Sequence, residues 1–407
     1  MLLVMAVVAL LLPLAAPVSA DAGVFSIPLS TFEPNVDTRG GTLTFLWANG
    51  SEPNPLFNAR MNLGVFVGTP GNVRELHWHP DAAEWALVLG GTCVTTMMDL
   101  EGKIANNVLH RGDVWYFPLN LPHAIVAGAD GCRAVLAFNS GEYVPSNDFG
   151  MSQLIQNFPA AQVAAQLGLA VNVTQEIQGQ LNITAGPYKP ILLAEGPVPA
   201  GAWPVPAATC LPSWQSSVNP TWPMFGMQPK FAFGDSYYQQ LTNKDFAFSS
   251  DMSGEWDMLA PGSARQIHWH TNTDEILYLD SGILNMTLGP YGGVPVSFTL
   301  QSGDIGWDPR GFAHSYLCVS SDACGALLMW NAGTPGTIDL GMWVAHSPPS
   351  VVASTLNVTE EQVNAMSPSM QTLLVVDASY NSTNSSNSTN SSDLPWPLSE
   401  IPGLGKR

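Results

Sequence analysis

Basic residues are scarce in this chain: 13 Lys and Arg stand against 32 Asp and Glu, for a formal net charge of −19 over 407 residues. Nucleic acids and anionic membrane surfaces are gripped by clustered Lys and Arg, so this balance excludes both as expected partners. Acidity of this kind serves solubility instead. Long apolar runs are also missing beyond the first twenty residues, whereas a membrane-spanning helix needs roughly 20 consecutive apolar positions. Cysteine is sparse and odd in number, at positions 93, 132, 210, 318 and 324. Histidine is limited to eight residues.

The one apolar run, MLLVMAVVALLLPLAAPVSA, ends in Val18-Ser19-Ala20, the small-x-small pattern a signal peptidase accepts. A membrane anchor is the alternative, but Pro13 and Pro17 interrupt a stretch already too short to span comfortably. Residues 1–20 are therefore expected to be a cleaved signal peptide, with a secreted, extracellular product starting at Asp21. Asn-x-Ser/Thr sequons agree with that address: Asn49, Asn172, Asn182, Asn285, Asn357 and the tandem Asn381, Asn384, Asn387 and Asn390. In an oxidising compartment a Cys318–Cys324 bridge across a hairpin is expected, with Cys93–Cys132 as a second pairing. The fifth thiol would be free, buried or intermolecular.

Six of the histidines belong to a repeat. Residues 71–123 open with GNVRELHWHPDAAEW and close with GDVWYFPLNLPH, and residues 262–314 open with GSARQIHWHTNTDEI and close with GDIGWDPRGFAH. Gly71/Gly262, Arg74/Arg265, His77/His268, His79/His270, Glu84/Glu275, Gly112/Gly303, Pro118/Pro309 and His123/His314 share one offset, 268 − 77 = 191. Around the first copy, short alternating segments such as 42–46, 61–67, 84–89, 93–98, 114–118 and 133–138 read as strands of an antiparallel barrel or sandwich, and the second copy, over about 230–333, is again strand-rich. Residues 150–170 shift to a helical period broken at Pro159, and the segment following the second copy repeats that shift.

The expected organisation is a first domain over 21–185, a Pro-rich extended connection over 186–229, a second domain over 230–375 and a tail over 376–407. Trp203, Trp214 and Trp222 should pack the connection against a barrel. The tail, with its Asn/Ser tract, cannot bury a core.

Histidines at i and i+2 of a strand point to one face. His77 with His79, and His268 with His270, therefore converge; Glu84 and His123, or Glu275 and His314, would complete sets of three nitrogens and one oxygen. Such sets leave coordination positions open and suit Mn(II) or Fe(II), and Zn(II) less well. The competing reading, buried histidines that merely hydrogen-bond in a core, does not explain two complete sets at identical spacing. Arg74 and Arg265, three residues before the first histidine, have the opposite strand parity. A turn or bulge must redirect them if they are to face the metal.

These motifs resemble those of the cupin superfamily, G(X)5HXH(X)3-4E(X)6G and G(X)5PXG(X)2H(X)3N. The second copy fits from Gly262 to Gly282 and from Gly303 through Gly311 to His314, with Cys318 at the closing Asn; the first fits from Gly71 to Gly91 and from Gly112 to His123, with Asn120 at the inner Gly and Ala127 at the closing Asn. Within cupins, RELHWH (74–79), AEW (83–85), GDVWYFPLNLPH (112–123) and MWVAHSPP (342–349) look like the secreted bicupin oxalate decarboxylase and oxalate oxidase group.

The resemblance, over roughly residues 25–370, implies an all-β chain of two cupin (double-stranded β-helix, jelly-roll) barrels, each followed by short helices. It implies one Mn(II) per domain on His77, His79, Glu84 and His123 and on His268, His270, Glu275 and His314, with Fe(II) the weaker fit. It gives Arg74 and Arg265 the catalytic task of binding and polarising a small carboxylate. It also implies O2 as a partner in the oxidase branch and leaves a homo-oligomer open. The family's lid glutamate, its proton donor, aligns with Pro145 in FNSGEYVPSNDFG (138–150), with Glu142 and Asp148 nearby but out of register. The late-strand glutamate of the second barrel falls at Leu328-Met329-Trp330-Asn331, where there is no acid. The reading is a decarboxylase-like enzyme, with an oxidase or a non-catalytic germin-like metal-binding or storage protein as alternatives.

Overall fold

A computed structural model describes residues 25–29, 34, 36–38, 41–46, 59–181, 192–193, 216–290, 293–366, 368 and 372–375. The expected signal at 1–20, the tail, most of the Pro-rich connection with Trp203 and Trp214, Cys210, and the sequons at Asn49, Asn182 and 381–390 lie outside those residues. The chain folds into two antiparallel β-barrels, as the repeat and the resemblance imply. Strands Gly41–Phe45, Asn62–Gly68, Glu84–Met98, Asp113–Phe117 and His123–Phe138 form the main sheet of the first, and strands Ser236–Leu241, Ser253–Leu259, Glu275–Ser281, Asp304–Asp308 and Cys324–Trp330 that of the second.

In the first barrel the segments at 84–89 and 93–98 do not end in turns. They join into one 15-residue strand, as do the segments flanking 128–132 in the 16-residue strand His123–Phe138. Gly91 and Gly131 both take positive φ, and the pairing between the two strands shifts register there. The glycines thus act as bulge hinges that carry one strand from one face of the barrel to the other. The Cys93–Cys132 bridge joins the two strands close to this hinge, and Cys318–Cys324 closes the hairpin of the second barrel, so both expected pairings form.

Alternation along Glu84–Leu89 explains why this strand has no polar face. Ala86 and Val88 point into the first barrel with Phe66, Trp115 and Phe138, while Trp85 and Leu87 point outward and join a core that includes Trp256, Leu277 and Trp330 of the second barrel. Each fully buried large side chain contributes roughly 1.5–3 kcal/mol relative to exposure, so the two barrels stabilise each other through this face. Polar pairs surround it. Arg60 is ion-paired with Asp274 across the junction, and Asn139 donates to Asp251.

The edge strands are exchanged. Ser26–Pro28, which precedes the first barrel, pairs with Asp304–Asp308 of the second. Thr221–Pro223, which precedes the second, pairs with Asp113–Phe117 of the first, and brings Trp222 against the shared core. Each arm covers the other barrel's exposed edge. Helices follow each barrel: Met151–Asn157, Ala160–Leu167 and Val171–Leu181 after the first, and Leu340–Ala345, Pro349–Leu356 and Glu360–Asn364 after the second. Pro159 caps the second helix of the first set. No helix among the described residues is long and apolar enough to cross a membrane.

Candidate metal centres

The first centre is assembled from three strands. Val73–Trp78 carries Arg74 and His77 and leads into His79, Glu84 opens the long strand Glu84–Met98, and His123 opens His123–Phe138. The pairing of Arg74 with Ile125 and of His77 with His123 slips by one residue, and the same slip separates Arg265 from His268 in the second barrel. This is the bulge that the arginine's parity requires. At the turn before His123, Asn120 adopts φ 64, and its counterpart Gly311 φ 83. Asparagine tolerates the left-handed region better than most residues, so the motif survives the loss of glycine there.

His77, His79 and His123 each offer a nitrogen within 4.8 Å of the others. The His79 and His123 Nε2 atoms lie 3.2 Å apart, and Glu84 Oε2 lies 3.1 Å from His79 Nε2. In the second barrel His268, His270, Glu275 and His314 converge within the same 4.8 Å limit. All eight residues are buried. The second predicted set is thus brought together in full, whereas in the first barrel the three histidines converge and Glu84 touches the cluster through His79.

Outward hydrogen bonds fix the rings. The Nδ1 atoms of His77 and His123 donate to the Glu75 and Leu121 carbonyls at 2.6 and 2.8 Å, and those of His268 and His314 to the Gln266 and Phe312 carbonyls at 2.8 and 3.1 Å. That tautomer turns the Nε2 lone pairs inward, the arrangement in which imidazoles hold metals. Indole N–H groups orient the carboxylates: Trp115 donates to Glu84 at 2.6 Å and Trp330 to Glu275 at 2.9 Å, from different strands in the two barrels.

Electrostatics favour a cation at the focus. Burial, together with the neighbouring arginine and histidines, holds His77 and His268 well below the usual imidazole range, and His314 falls to about 4, chiefly through burial. Burial alone would raise Glu275, but hydrogen bonding to His270 and the charges around it keep that carboxyl low. Among the described residues, buried His268 Nε2, His314 Nε2 and Glu275 Oε1 have no hydrogen-bond partner. Two neutral nitrogens and a carboxylate oxygen, buried together with no proton between them, fit a divalent metal ion.

The surroundings of the two centres differ in ways the repeat does not reveal. Asp148, fully buried, accepts from His79 Nδ1 at 2.6 Å and from Arg74 Nη2 at 2.7 Å, and the Tyr143 hydroxyl donates to it at 3.3 Å. Pro145 sits nearby on a 3-10 turn over Pro145–Asn147, and Glu142 is exposed. Burial opposes charge on His79, yet the carboxylates of Asp148 and Glu84 outweigh it and raise the imidazole to about 9. In the second barrel, Thr337 occupies the position facing the second histidine, with Oγ1 3.1 Å from His270 Nδ1. The repeat counterpart of Asp148, Asp339, lies at the end of the strand Thr337–Asp339, where burial raises its carboxyl and the nearby charges of Arg265 and His270 offset part of that rise. The barrel wall adds further acids: Glu255 and Asp257 flank Arg265, and Asp308 lies beside Glu275 and His314. Asp308 stands 191 residues after Phe117, which stacks on His123 at 4.1 Å between ring centroids.

Sequence reasoning set Asp148 aside because it is out of register with the lid position, and the path of the 139–150 loop, not the register, brings it in. Glu255 and Asp257 could have been noticed as two charges at i and i+2 in an otherwise apolar strand.

Comparison with known proteins agrees with this architecture. The Cupin family matches residues 30–175 and 227–364. The oxalate decarboxylase OxdC of Bacillus subtilis (strain 168) is 27% identical over 301 residues, covering 73% of this chain and 74% of that protein. An oxalate decarboxylase of Arthroderma benhamiae is 24% identical over 326 residues, covering 75% of each. A solved structure of the B. subtilis oxalate decarboxylase, from work on its Mn(II) centres, superposes with a TM-score of 0.73 at 22% identity over 88% of this chain and 90% of that one. With the family matched in both halves and both barrels formed, the chain belongs to the cupin family, as a bicupin of the oxalate decarboxylase group.

Proposed function

We propose that the protein is a secreted, glycosylated, Mn(II)-dependent enzyme that acts on oxalate or a similarly small carboxylate, decarboxylating oxalate to formate and CO2. The observation that carries this reading is Arg74. A bulge turns its guanidinium into the histidine cluster, where its partner is a buried carboxylate 2.7 Å away. A planar fork that already holds one carboxylate beside a metal-type donor set suits a carboxylate substrate. His77, His79, Glu84 and His123 would hold one metal ion and His268, His270, Glu275 and His314 another; bound there, the metal supplies Lewis acidity and redox access. The Mn(II) centres of the related B. subtilis protein support manganese over iron.

Decarboxylation breaks the C–C bond of oxalate, releases CO2 and places one proton on the remaining carbon to give formate. Arg74 neutralises the charge that develops on the retained carboxylate. The Tyr143 hydroxyl, which lies against Asp148 and His79, is the protic group at this centre, and burial keeps it protonated well above the usual phenol range. A second reading is favoured by Pro145, which puts no acid on the turn where the family carries its donor. Without timely proton delivery, oxalate and O2 would give CO2 and hydrogen peroxide. Incubating manganese-loaded protein with oxalate at mildly acid pH separates the readings. Formate supports the first, peroxide the second, and neither product would leave a germin-like protein without turnover.

A further inference from the structure

The second barrel holds a charged pair that the first lacks and that no step above uses. Glu255 and Asp257 alternate along Ser253–Leu259, so both face the barrel interior, and both are fully buried. Glu255 Oε1 lies 3.2 Å from Arg265 Nη2, and Asp257 Oδ2 lies 3.7 Å from Arg265 Nε. Gln240 donates to Glu255 at 2.7 Å and Tyr316 to Asp257 at 2.9 Å, and the guanidinium lies over the Tyr238 ring at 5.1 Å. At the equivalent positions 191 residues earlier stand Gly64 and Phe66.

The difference in where the counterion is attached matters. Asp148, which faces Arg74, follows a three-residue 3-10 turn in a loop and immediately precedes a two-residue strand. An arriving carboxylate can take its place by displacing that short segment. Glu255 and Asp257 sit mid-strand, hydrogen-bonded on one side to Ser236–Leu241 and on the other to Cys324–Trp330. They cannot leave without opening the sheet. Burial raises Glu255, and the neighbouring Asp257 adds to this, so the two acids share a proton more readily than exposed ones. Even then the pair keeps one negative charge against the one positive charge of Arg265.

We propose that Glu255 and Asp257 act as a fixed internal counterion to Arg265 that closes the second metal centre to carboxylate ligands, leaving the first as the carboxylate-binding centre. This rests on the reading of the protein as a carboxylate-binding bicupin, but it is tested apart from turnover. The probe is formate, which the proposed reaction does not consume, titrated calorimetrically into manganese-loaded protein with the metal content of each sample measured.

Wild type is expected to bind about one formate per chain, lost in Arg74→Gln, whereas Glu255→Gln/Asp257→Asn with both metals retained binds about two. If the double variant does not fold or loses metal, two other variants take its place: Asp257→Asn, which leaves one carboxylate on Arg265, is expected to stay at about one formate per chain, and Glu255→Gln/Asp257→Ser, which leaves none, to bind about two. Two formates bound by wild type would overturn the proposal. So would a single formate bound by a charge-removed variant that keeps both metals, or wild-type binding that survives Arg74→Gln and disappears in Arg265→Gln. If wild type binds none and the variant binds one, the counterion role stands while the carboxylate reading of the first centre fails. If neither binds formate, both fail.

Discussion

Asp148 and His79 are joined by a 2.6 Å contact from carboxylate to Nδ1, between a loop and the end of a strand 69 residues earlier. The contact fixes the His79 ring, and through its other oxygen Asp148 also holds Arg74. One carboxylate therefore orients a metal-type nitrogen and a substrate-type guanidinium together.

Replacing Asp148 by Ala should thus act twice. Removing the partner that orients a ligating imidazole costs about 10–100-fold in metal affinity, and leaving Arg74 with a lost buried ion pair costs roughly 3–5 kcal/mol of stability. Dialysis against chelator followed by metal analysis should show the first centre emptying while the second stays filled. Equal loss from both centres would mean that Asp148 serves the fold and not His79.

The disulfides offer a separate check on the barrels. Cys93–Cys132 closes 39 residues and Cys318–Cys324 only 6. In the chain-entropy account these are worth about 4 and about 2 kcal/mol. Cys93→Ala/Cys132→Ala should therefore lower Tm more than Cys318→Ala/Cys324→Ala in thermal unfolding of the metal-loaded protein. The reverse order would show that strain or residual structure, and not loop closure, dominates.

Much of this was legible beforehand because it is periodic. The offset of 191, the HxH parity and the turn glycines specify two barrels and their eight inward residues, and even the misfit of the Arg74 parity pointed to the bulge later found between Arg74 and His77. What stayed hidden depends on contacts between segments distant in sequence. Trp115 and Trp330 reach equivalent glutamates from non-equivalent strands, so alignment of the repeats cannot pair them. The exchange of Ser26–Pro28 and Thr221–Pro223 is invisible because three-residue arms carry no periodicity. Asp148 was missed although Asp339 stands at the same offset, 339 − 148 = 191, because the loop path that brings it to Arg74 and His79 is not set by strand register.

The junction between the barrels can be probed at Gly254. A Cβ there would lie 2.5 Å from the Trp85 ring of the other barrel and 3.2 Å from the Leu328 carbonyl oxygen. Overpacking of this kind costs about 1–3 kcal/mol. Gly254→Ala should lower Tm while both metals remain bound, since Trp85 faces the junction and its neighbour Glu84 faces the centre. Unchanged stability would mean that Trp85 can rotate away, and the interface would then be looser than its packing suggests.

Metal binding should also be coupled to pH, and to different degrees at the two centres. His79 is raised to about 9, so in the metal-free protein it carries a proton through the neutral range, and the Nε2 proton must leave before that nitrogen can accept a metal. His268 is held low and His314 falls to about 4, so neither has a proton to give up at neutral pH. The sign follows: below about pH 9 the first centre loses affinity as pH falls, by up to about tenfold per unit, while those two histidines impose no such penalty on the second. Calorimetric manganese titrations at about pH 7.5, in two buffers of different ionisation enthalpy, should show about one proton released as the first centre fills. Asp148→Asn, which removes the charge that raises His79, should reduce that release. Release of no proton by the wild-type protein would place His79 in its neutral form and remove the electrostatic distinction between the centres.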